Sequence, residues 1–439
     1  MMHFREVRMA TIEILRSRTG KGQPIERAVI IDDIFGKVRV LAWIDRSAPP
    51  SFASDVTEMM RQKLGAYWVV DLWVASGASA ADRKLYDELW ETSNEIAPSL
   101  RMAERTRSRG FWMKPPSDPA WPVAEDYPPV IAFYSFKGGV GRTTTLASYA
   151  IQRARTGETV VLVDLDLDAP GVGTLLGPGA LNKAQQFGVV DYLIELPLNA
   201  EIALSDYYHR CLDVSAGPPN SIAGSGQIFV FPAGSMDSDY VAMLARLDLE
   251  PSTDNAKHPL LHLLEHVRKD LKPDWILLDC RAGLSEASGF ALSGLANLTV
   301  LLGTTSTQSW DGLRLVIERL GAERVRRGLP QSECLVVQTM TPENPQTAEL
   351  AESAFRTEAE ETFKEVYYAE DPADEDDDQY WYVRDAESAD APHQPSILYY
   401  SQRLAFIRSI EDVADTLAED PRYSSLARRI ASRFGKEPD

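Results

Sequence analysis

Lys137, Gly138, Gly139, Val140, Gly141, Arg142, Thr143 and Thr144 form the stretch of this chain best suited to chemistry. Glycines let a backbone wrap closely round an anion, and successive N–H groups then turn inward. A helix that begins where the turn ends adds partial positive charge. Two cations, Lys137 and Arg142, flank the glycines, and two hydroxyls follow. That is chemistry for cradling a phosphate. The final glycine, Gly141, leads into Arg142 and Thr143, with Arg142 where a G-K-[ST] phosphate loop carries lysine.

Carboxylates are placed to work with it. TVVLVDLDLDAPG, residues 159–171, is an apolar run that ends in Asp164, Asp166 and Asp168. Side chains alternate along a strand, so acids two apart share a face while the strand persists. DWILLDCRAG, residues 274–283, leads four apolar residues into Asp279. A carboxylate at such a strand tip can organise a magnesium ion through its water shell. Asp168 reads as a turn residue ahead of Ala169-Pro170-Gly171. Cys280 reads as a small buried residue, since only Arg281 nearby would favour its thiolate.

The elements that hold these residues follow from periodicity. VIAFYS (130–135) reads as a buried parallel strand, and LASYAIQRART as a helix with Gly157 just past its end. GQIFVFPAGS, LTVLLGTTST and ECLVVQTMTP read as further buried strands, with a helical DGLRLVIERLGAERVRRG between the last two. SILYYSQRLAF (396–406) reads as a short final strand and turn. Strands alternating with helices predict an α/β fold: a doubly wound, mostly parallel sheet with ligands at the strands' carboxyl ends.

The order K-G-G-x-G-x-T-T between a strand and a helix resembles the deviant Walker A loop of the MinD/ParA class of dimerising P-loop ATPases, in its KGGVGR subgroup. The resemblance covers about Pro128 to Phe434. It implies ATP and Mg²⁺ as cofactors, with nucleotide held by Gly138 to Thr144 and the Thr143 hydroxyl on magnesium. It places Asp164 and Asp279 in the magnesium shell and Asp166 on the attacking water. It brings Lys137 to phosphates across a face-to-face, ATP-dependent homodimer. Gly283 becomes the switch II glycine, and Gln338 and Thr341-Pro342 become contacts to the adenine. Arg142 keeps a positive charge but replaces a compact ammonium by a wide fork. Nucleotide binding is expected to survive that change, and slow hydrolysis is the cost.

With 439 residues the chain is too long for one compact core. Residues 1–112 read as a smaller α/β interaction module, residues 113–128 as a stiff Pro-rich linker, and residues 129–439 as the ATPase domain. In the module, KVRVLAWID and YWVVDLWVAS read as strands, and FASDVTEMMRQKLG and ASAADRKLYDELWETSNEI as helices. Asp32, Asp33 and Asp45 invite comparison with a receiver-like acidic pocket, as in pilus-localising ATPases; a plain protein-binding module is the alternative. Three scattered cysteines exclude a disulfide framework. No apolar run is long enough to span a bilayer and no signal-peptide core is present, so the expected location is cytoplasmic.

A net charge of −20, from 65 acids against 45 bases, disfavours DNA as a partner, since nonspecific duplex binding needs clustered Lys and Arg. The basic segments 101–109 and 323–328 read as solvated helix faces. His258, His262 and His266 at four-residue spacing read as part of an amphipathic helix in preference to a metal face. The acidic run 371–378 reads as a solvated loop, or as a dock for a basic partner. The stripe Leu426, Ile430, Phe434 reads as a helix packed on the sheet in preference to a membrane-targeting helix. The expected function is a regulatory or localising ATPase acting on a protein partner, in a setting such as a bacterial conflict or defence system. A non-hydrolysing nucleotide-dependent scaffold and a MinD-like membrane organiser are the alternatives.

Overall fold

The chain divides into two units, Met1–Gly110 and Phe111–Asp439. The computed structural model describes residues 4–33, 37–68, 72–76, 78–104, 110–177, 187–198, 202–211, 222–249, 257–371, 379–407 and 410–436.

The first unit is a five-stranded mixed sheet in the order β3-β2-β1-β5-β4. Its strands are β1 (Ile25–Asp32), β2 (Val38–Ile44), β3 (Trp73–Val74), β4 (Asn94–Ala97) and β5 (Leu100–Glu104). The helices Phe4–Arg16 and Phe52–Leu64 bury Val7, Leu15, Met60 and Leu64 against one face. The helix Ala80–Thr92 lays Tyr86, Leu89 and Trp90 on Val29, Ile31 and Leu41 of the other. Sequence patterning missed the central strand β1. It also extended the third helix through residues that form β4.

The receiver-like acidic pocket is not formed. Strands β1 and β2 run antiparallel, pairing Asp32 with Val38 at one end and Ile25 with Ile44 at the other. Asp45 therefore sits at the opposite end of the sheet from Asp32 and Asp33. Asp33 accepts the Lys37 N–H at 2.9 Å, and Asp45 accepts the Ser47 N–H at 2.7 Å.

The second unit carries an eight-stranded sheet in the order β13-β12-β11-β6-β10-β7-β9-β8. These are β6 (Val130–Ser135), β7 (Thr159–Leu165), β8 (His209–Arg210), β9 (Gln227–Phe231), β10 (Trp275–Cys280), β11 (Leu298–Gly303), β12 (Cys334–Thr341) and β13 (Ser396–Tyr399). Every neighbouring pair is parallel except β8–β9. The central strands have no polar face, and such strands must be covered on both sides. One layer comprises the helices Pro259–Leu271, Glu286–Gly294, Thr307–Leu320 and Pro345–Val366. The other comprises Arg142–Arg155, Ala414–Glu419 and Pro421–Ser432. This is the doubly wound fold expected from the alternation of strands and helices, and it gathers the strands' carboxyl ends along one edge.

The Pro-rich stretch expected as a linker is fastened to the second unit. Trp121 is buried, and Ser117 N–H donates to the Ser293 carbonyl at 2.8 Å. An extended strip has no ladder partners for its carbonyls, so something must supply donors. Two buried arginines do: Arg319 reaches the carbonyls of Phe111 and Lys114, both at 2.6 Å, and Arg324 reaches that of Ser117 at 2.7 Å.

The basic segment 323–328 is neutralised locally. Arg324 pairs with Asp118, Arg326 with Glu318 and Arg327 with Glu323. The helix Pro421–Ser432 turns Leu426, Ala427, Ile430 and Ala431 into the core, and the Phe434 ring meets that of Trp275 edge-on at 5.8 Å. Its apolar stripe is covered. Most of the acidic run 371–378 lies outside the described residues.

Candidate functional site

The loop between β6 and the helix Arg142–Arg155 takes the backbone path that its glycines permit. Gly139 and Gly141 have φ of 72° and 84°, conformations that disfavour any side chain. Gly138, Gly139 and Lys137 are exposed, while Val140 is buried beneath them. Thr143 and Thr144 open the helix, half-buried.

Behind the loop the charged residues converge. The Arg142 guanidinium is buried, with Nε donating to Asp279 Oδ1 at 2.6 Å and Nη2 to Asp166 Oδ2 at 2.9 Å. The Thr143 hydroxyl donates to the other Asp279 oxygen at 2.7 Å. Burial works against the charge on Arg142, but the Asp279 and Asp166 carboxylates outweigh it and hold its pKa above the ordinary value. Burial raises the pKa of Asp279, and its contacts with Arg142 and Thr143 oppose that rise. The Cys280 thiol is buried and burial drives its pKa up, so it is inert.

Asp164 and Asp166 part company. Asp164 is in register with Asp279 on the adjacent strand. The strand ends at Leu165, so the alternation that would set Asp166 beside Asp164 ends before it. The Asp164 carboxylate accepts the N–H groups of Asp166, Gly171 and Val172 at 3.1, 3.1 and 3.2 Å. It fixes the loop that follows β7. Burial, then repulsion from Asp279, pushes its pKa up to about 7. The carboxylate expected in the magnesium shell thus also anchors backbone. Asp168 is more than a turn residue, because it pairs with Arg281 across the two loops.

On the other side of the loop is a recess lined by Val140, Gly141, Thr144, Thr339, Met340, Tyr400, Ser401 and Leu404. It lies where the adenine contacts were expected, but Gln338 and Pro342 do not line it. Gln338 is buried with its Oε1 unpartnered. The chain enters the recess one residue later because β12 pairs irregularly with β13 between Gln338 and Thr341, with Met340 at φ 55°. Two further residues went unnoticed in the sequence. The Tyr134 hydroxyl donates to the Gly283 carbonyl at 3.2 Å, and Phe136 packs on Gly312 of the helix Thr307–Leu320. Only their adjacency to the glycine loop marked them.

The histidine row is structural. His258 caps its helix by accepting the Leu260 N–H at 3.0 Å and stacks on Phe290. The Tyr192 hydroxyl sits between the Nδ1 atoms of His262 and His266, at 3.2 and 3.3 Å. Among the described residues, no group of three or more His, Cys, Asp or Glu is disposed to hold a metal by itself. Thr143, Asp166 and Asp279 offer hard oxygen atoms of the kind magnesium takes, but too few to complete a shell without phosphate and water. No helix in the described residues is long and apolar enough to cross a membrane.

The family profile described as the CobQ/CobB/MinD/ParA nucleotide binding domain matches residues 131–437. The chromosome-partitioning ATPase Soj of Thermus thermophilus is 29% identical over 199 residues, which is 44% of this chain and 74% of that protein. The septum site-determining protein MinD of Helicobacter pylori is 25% identical over 217 residues, 49% of this chain and 68% of that protein. A structure of pNOB8 ParA bound to nonspecific DNA aligns with 70% of this chain and 99% of its own, at 16% identity and a TM-score of 0.44.

Proposed function

Since the chain belongs to the CobQ/CobB/MinD/ParA nucleotide-binding family, whose MinD and ParA members are ATPases, we propose that it is an ATP-driven dimerisation switch that positions a protein partner. The observation that carries this reading is the division of the loop's two cations. Arg142 is buried against Asp166 and Asp279, whereas Lys137 stands exposed at the loop's outer end. A buried cation serves its own site; an exposed one at the rim is free to reach phosphates held by a second copy.

In this reading the N–H groups of Gly138 to Thr144 hold the phosphates and the recess at Thr339, Met340 and Tyr400 takes the base. Thr143 and Asp279 hold magnesium, whose charge would offset that developing on the terminal phosphate. Asp166 orients the attacking water. Gly283, tied to Tyr134, reports the terminal phosphate to the loop that follows β10. The first unit is the part that recognises the partner. The apolar stripe of the final helix is already covered, which argues against a membrane organiser. One observation favours a second reading, a non-hydrolysing scaffold: both acids needed for water and metal are engaged by the broad fork of Arg142.

Light scattering after size exclusion tests the switch. ATP is expected to convert the monomer to a dimer, and Lys137→Ala to abolish that shift while leaving ATP binding and the melting temperature unchanged. An ATP-induced dimer in the variant sinks the assignment of Lys137. Phosphate release from the parent separates the two readings.

A further inference from the structure

We propose that Arg142 gates the metal site, its guanidinium and a divalent cation excluding each other at Asp166 and Asp279, so that nucleotide phosphate must draw the arginine away before the cation can enter. The proposal rests on the reading of this site as a nucleotide site.

The oxygens decide the matter. Asp279 is 1% exposed, and its two oxygens are taken by Arg142 Nε and the Thr143 hydroxyl. Asp166 gives Oδ2 to Arg142, and its Oδ1 accepts the Ala169 N–H at 3.3 Å. Asp164 spends both oxygens on backbone N–H groups. A cation or its water shell arriving here meets carboxylates already engaged, and it meets a fixed positive charge at contact distance in a water-poor interior, where like charges repel strongly. A planar fork bridges two carboxylates at once, which a lysine's compact ammonium cannot do as well. Phosphate is the partner that a guanidinium fork accepts equally well, through paired charge-assisted hydrogen bonds. Arg142 is the first residue of its helix, directly after Gly141, so its side chain starts where the glycine loop ends. The consequence is ordered assembly: cation binding depends on nucleotide through Arg142, in addition to the oxygens that the phosphates contribute.

The experiment uses the full chain and two probes. Mn²⁺ alone, followed by electron paramagnetic resonance of the free ion, is expected to bind the parent weakly, and Arg142→Met at least about tenfold more tightly because the competing charge is gone. Equal affinity in the two proteins overturns the gate. Should Arg142→Met not fold, the parent still decides the question. In ¹⁵N-arginine-labelled protein the Arg142 Nε–H resonance, assigned through its loss in Arg142→Lys, is expected to stay in place with Mg²⁺ alone and to move with Mg²⁺ and ADP together. Displacement by Mg²⁺ alone overturns the proposal, and so does a resonance unmoved in a Mg²⁺–ADP complex that other resonances show to have formed. A spectrum with no resonance altered by Mg²⁺–ADP overturns the nucleotide-site reading itself.

Discussion

The Phe136 ring occupies the space in which position 312 would carry a side chain: a Cβ on Gly312 would lie 1.9 Å from the ring's Cγ. Phe136 immediately precedes Lys137, so the entry of the phosphate loop is seated in a notch of the helix Thr307–Leu320. Gly312→Ala must push the ring, and the loop with it. The expected cost is ~1–3 kcal/mol of stability, the usual range for overpacking. Nucleotide affinity should fall as well, measured by titration with a fluorescent ATP analogue. Adding Phe136→Leu to Gly312→Ala should restore part of both, and a variant that melts and binds like the parent would show that the notch is not tight.

Asp166 and Asp164 should fail differently. If Asp166 orients the attacking water as proposed, Asp166→Ala should lower hydrolysis ~10²–10⁴-fold with ATP still bound. The ATP dimer should then accumulate on size exclusion. Asp164→Asn sets an amide donor against the N–H groups of Gly171 and Val172 and leaves one of the acceptor sites unfilled. That change should cost ~1–3 kcal/mol of stability and loosen the loop after β7. Calorimetry and phosphate release on both variants check the division of labour, and matching profiles would refute it.

Acid should expose His258. Burial, then the charge of Lys114, lowers its pKa to about 3. The unfolded imidazole takes a proton near pH 6.5. Stability from keeping it neutral is therefore whole above about pH 6.5 and drains as pH falls from there toward 3. Asp164, raised to about 7, runs the other way, gaining stability as pH falls from 7 toward 3.8. The parent alone mixes the two. Urea unfolding of parent and His258→Asn isolates the histidine: Asn keeps a helix-capping oxygen, and the variant should gain on the parent by ~2 kcal/mol between pH 7 and 5. A constant difference across that range would mean the imidazole is not held neutral.

The final helix should behave as core. Leu426→Ser with Ile430→Ser exposes nothing new to a bilayer but removes two side chains packed against the phosphate-loop helix and its sheet. A loss of several kcal/mol is expected, in line with large-to-small core changes of ~2–5 kcal/mol each. Liposome sedimentation of the folded parent should show no binding that depends on residues 421–436. Sedimentation that both substitutions abolish without loss of stability would restore the membrane reading.

The parallel sheet was legible because VIAFYS, WILLDC and LTVLLG are almost wholly apolar, as strands covered on both sides are. The glycine loop was legible because its residues are needed for what the backbone does. The destination of the Arg142 side chain was not, since a guanidinium fork fits phosphate and carboxylate equally and only the fold puts Asp166 and Asp279 within its reach. The different surroundings of Asp164 and Asp166 were not legible either: alternation holds only while a strand lasts, and β7 stops at Leu165. In the first unit, IERAVIID lacks a clean alternation, and the turn at Ser99 between β4 and β5 takes a left-handed φ of 64° on a residue that does not advertise it.

Ser148, on the buried side of the phosphate-loop helix, donates to the carbonyl of Leu417 at 2.6 Å, and the segment around it carries Val413, Leu426 and Ile430 onto the same helix and sheet. The back wall of the site is therefore written almost 270 residues after its front. On a ribosome adding about 5–20 residues each second, the glycine loop waits tens of seconds or less for that wall. During the interval the helix behind the loop presents an apolar surface with no cover, open to chaperones, to neighbouring nascent chains and to proteases. A nucleotide that helps the half-built domain hold its shape would shorten the exposure, so the time between translation of Thr145 and of Ile430 is when this chain is most easily lost.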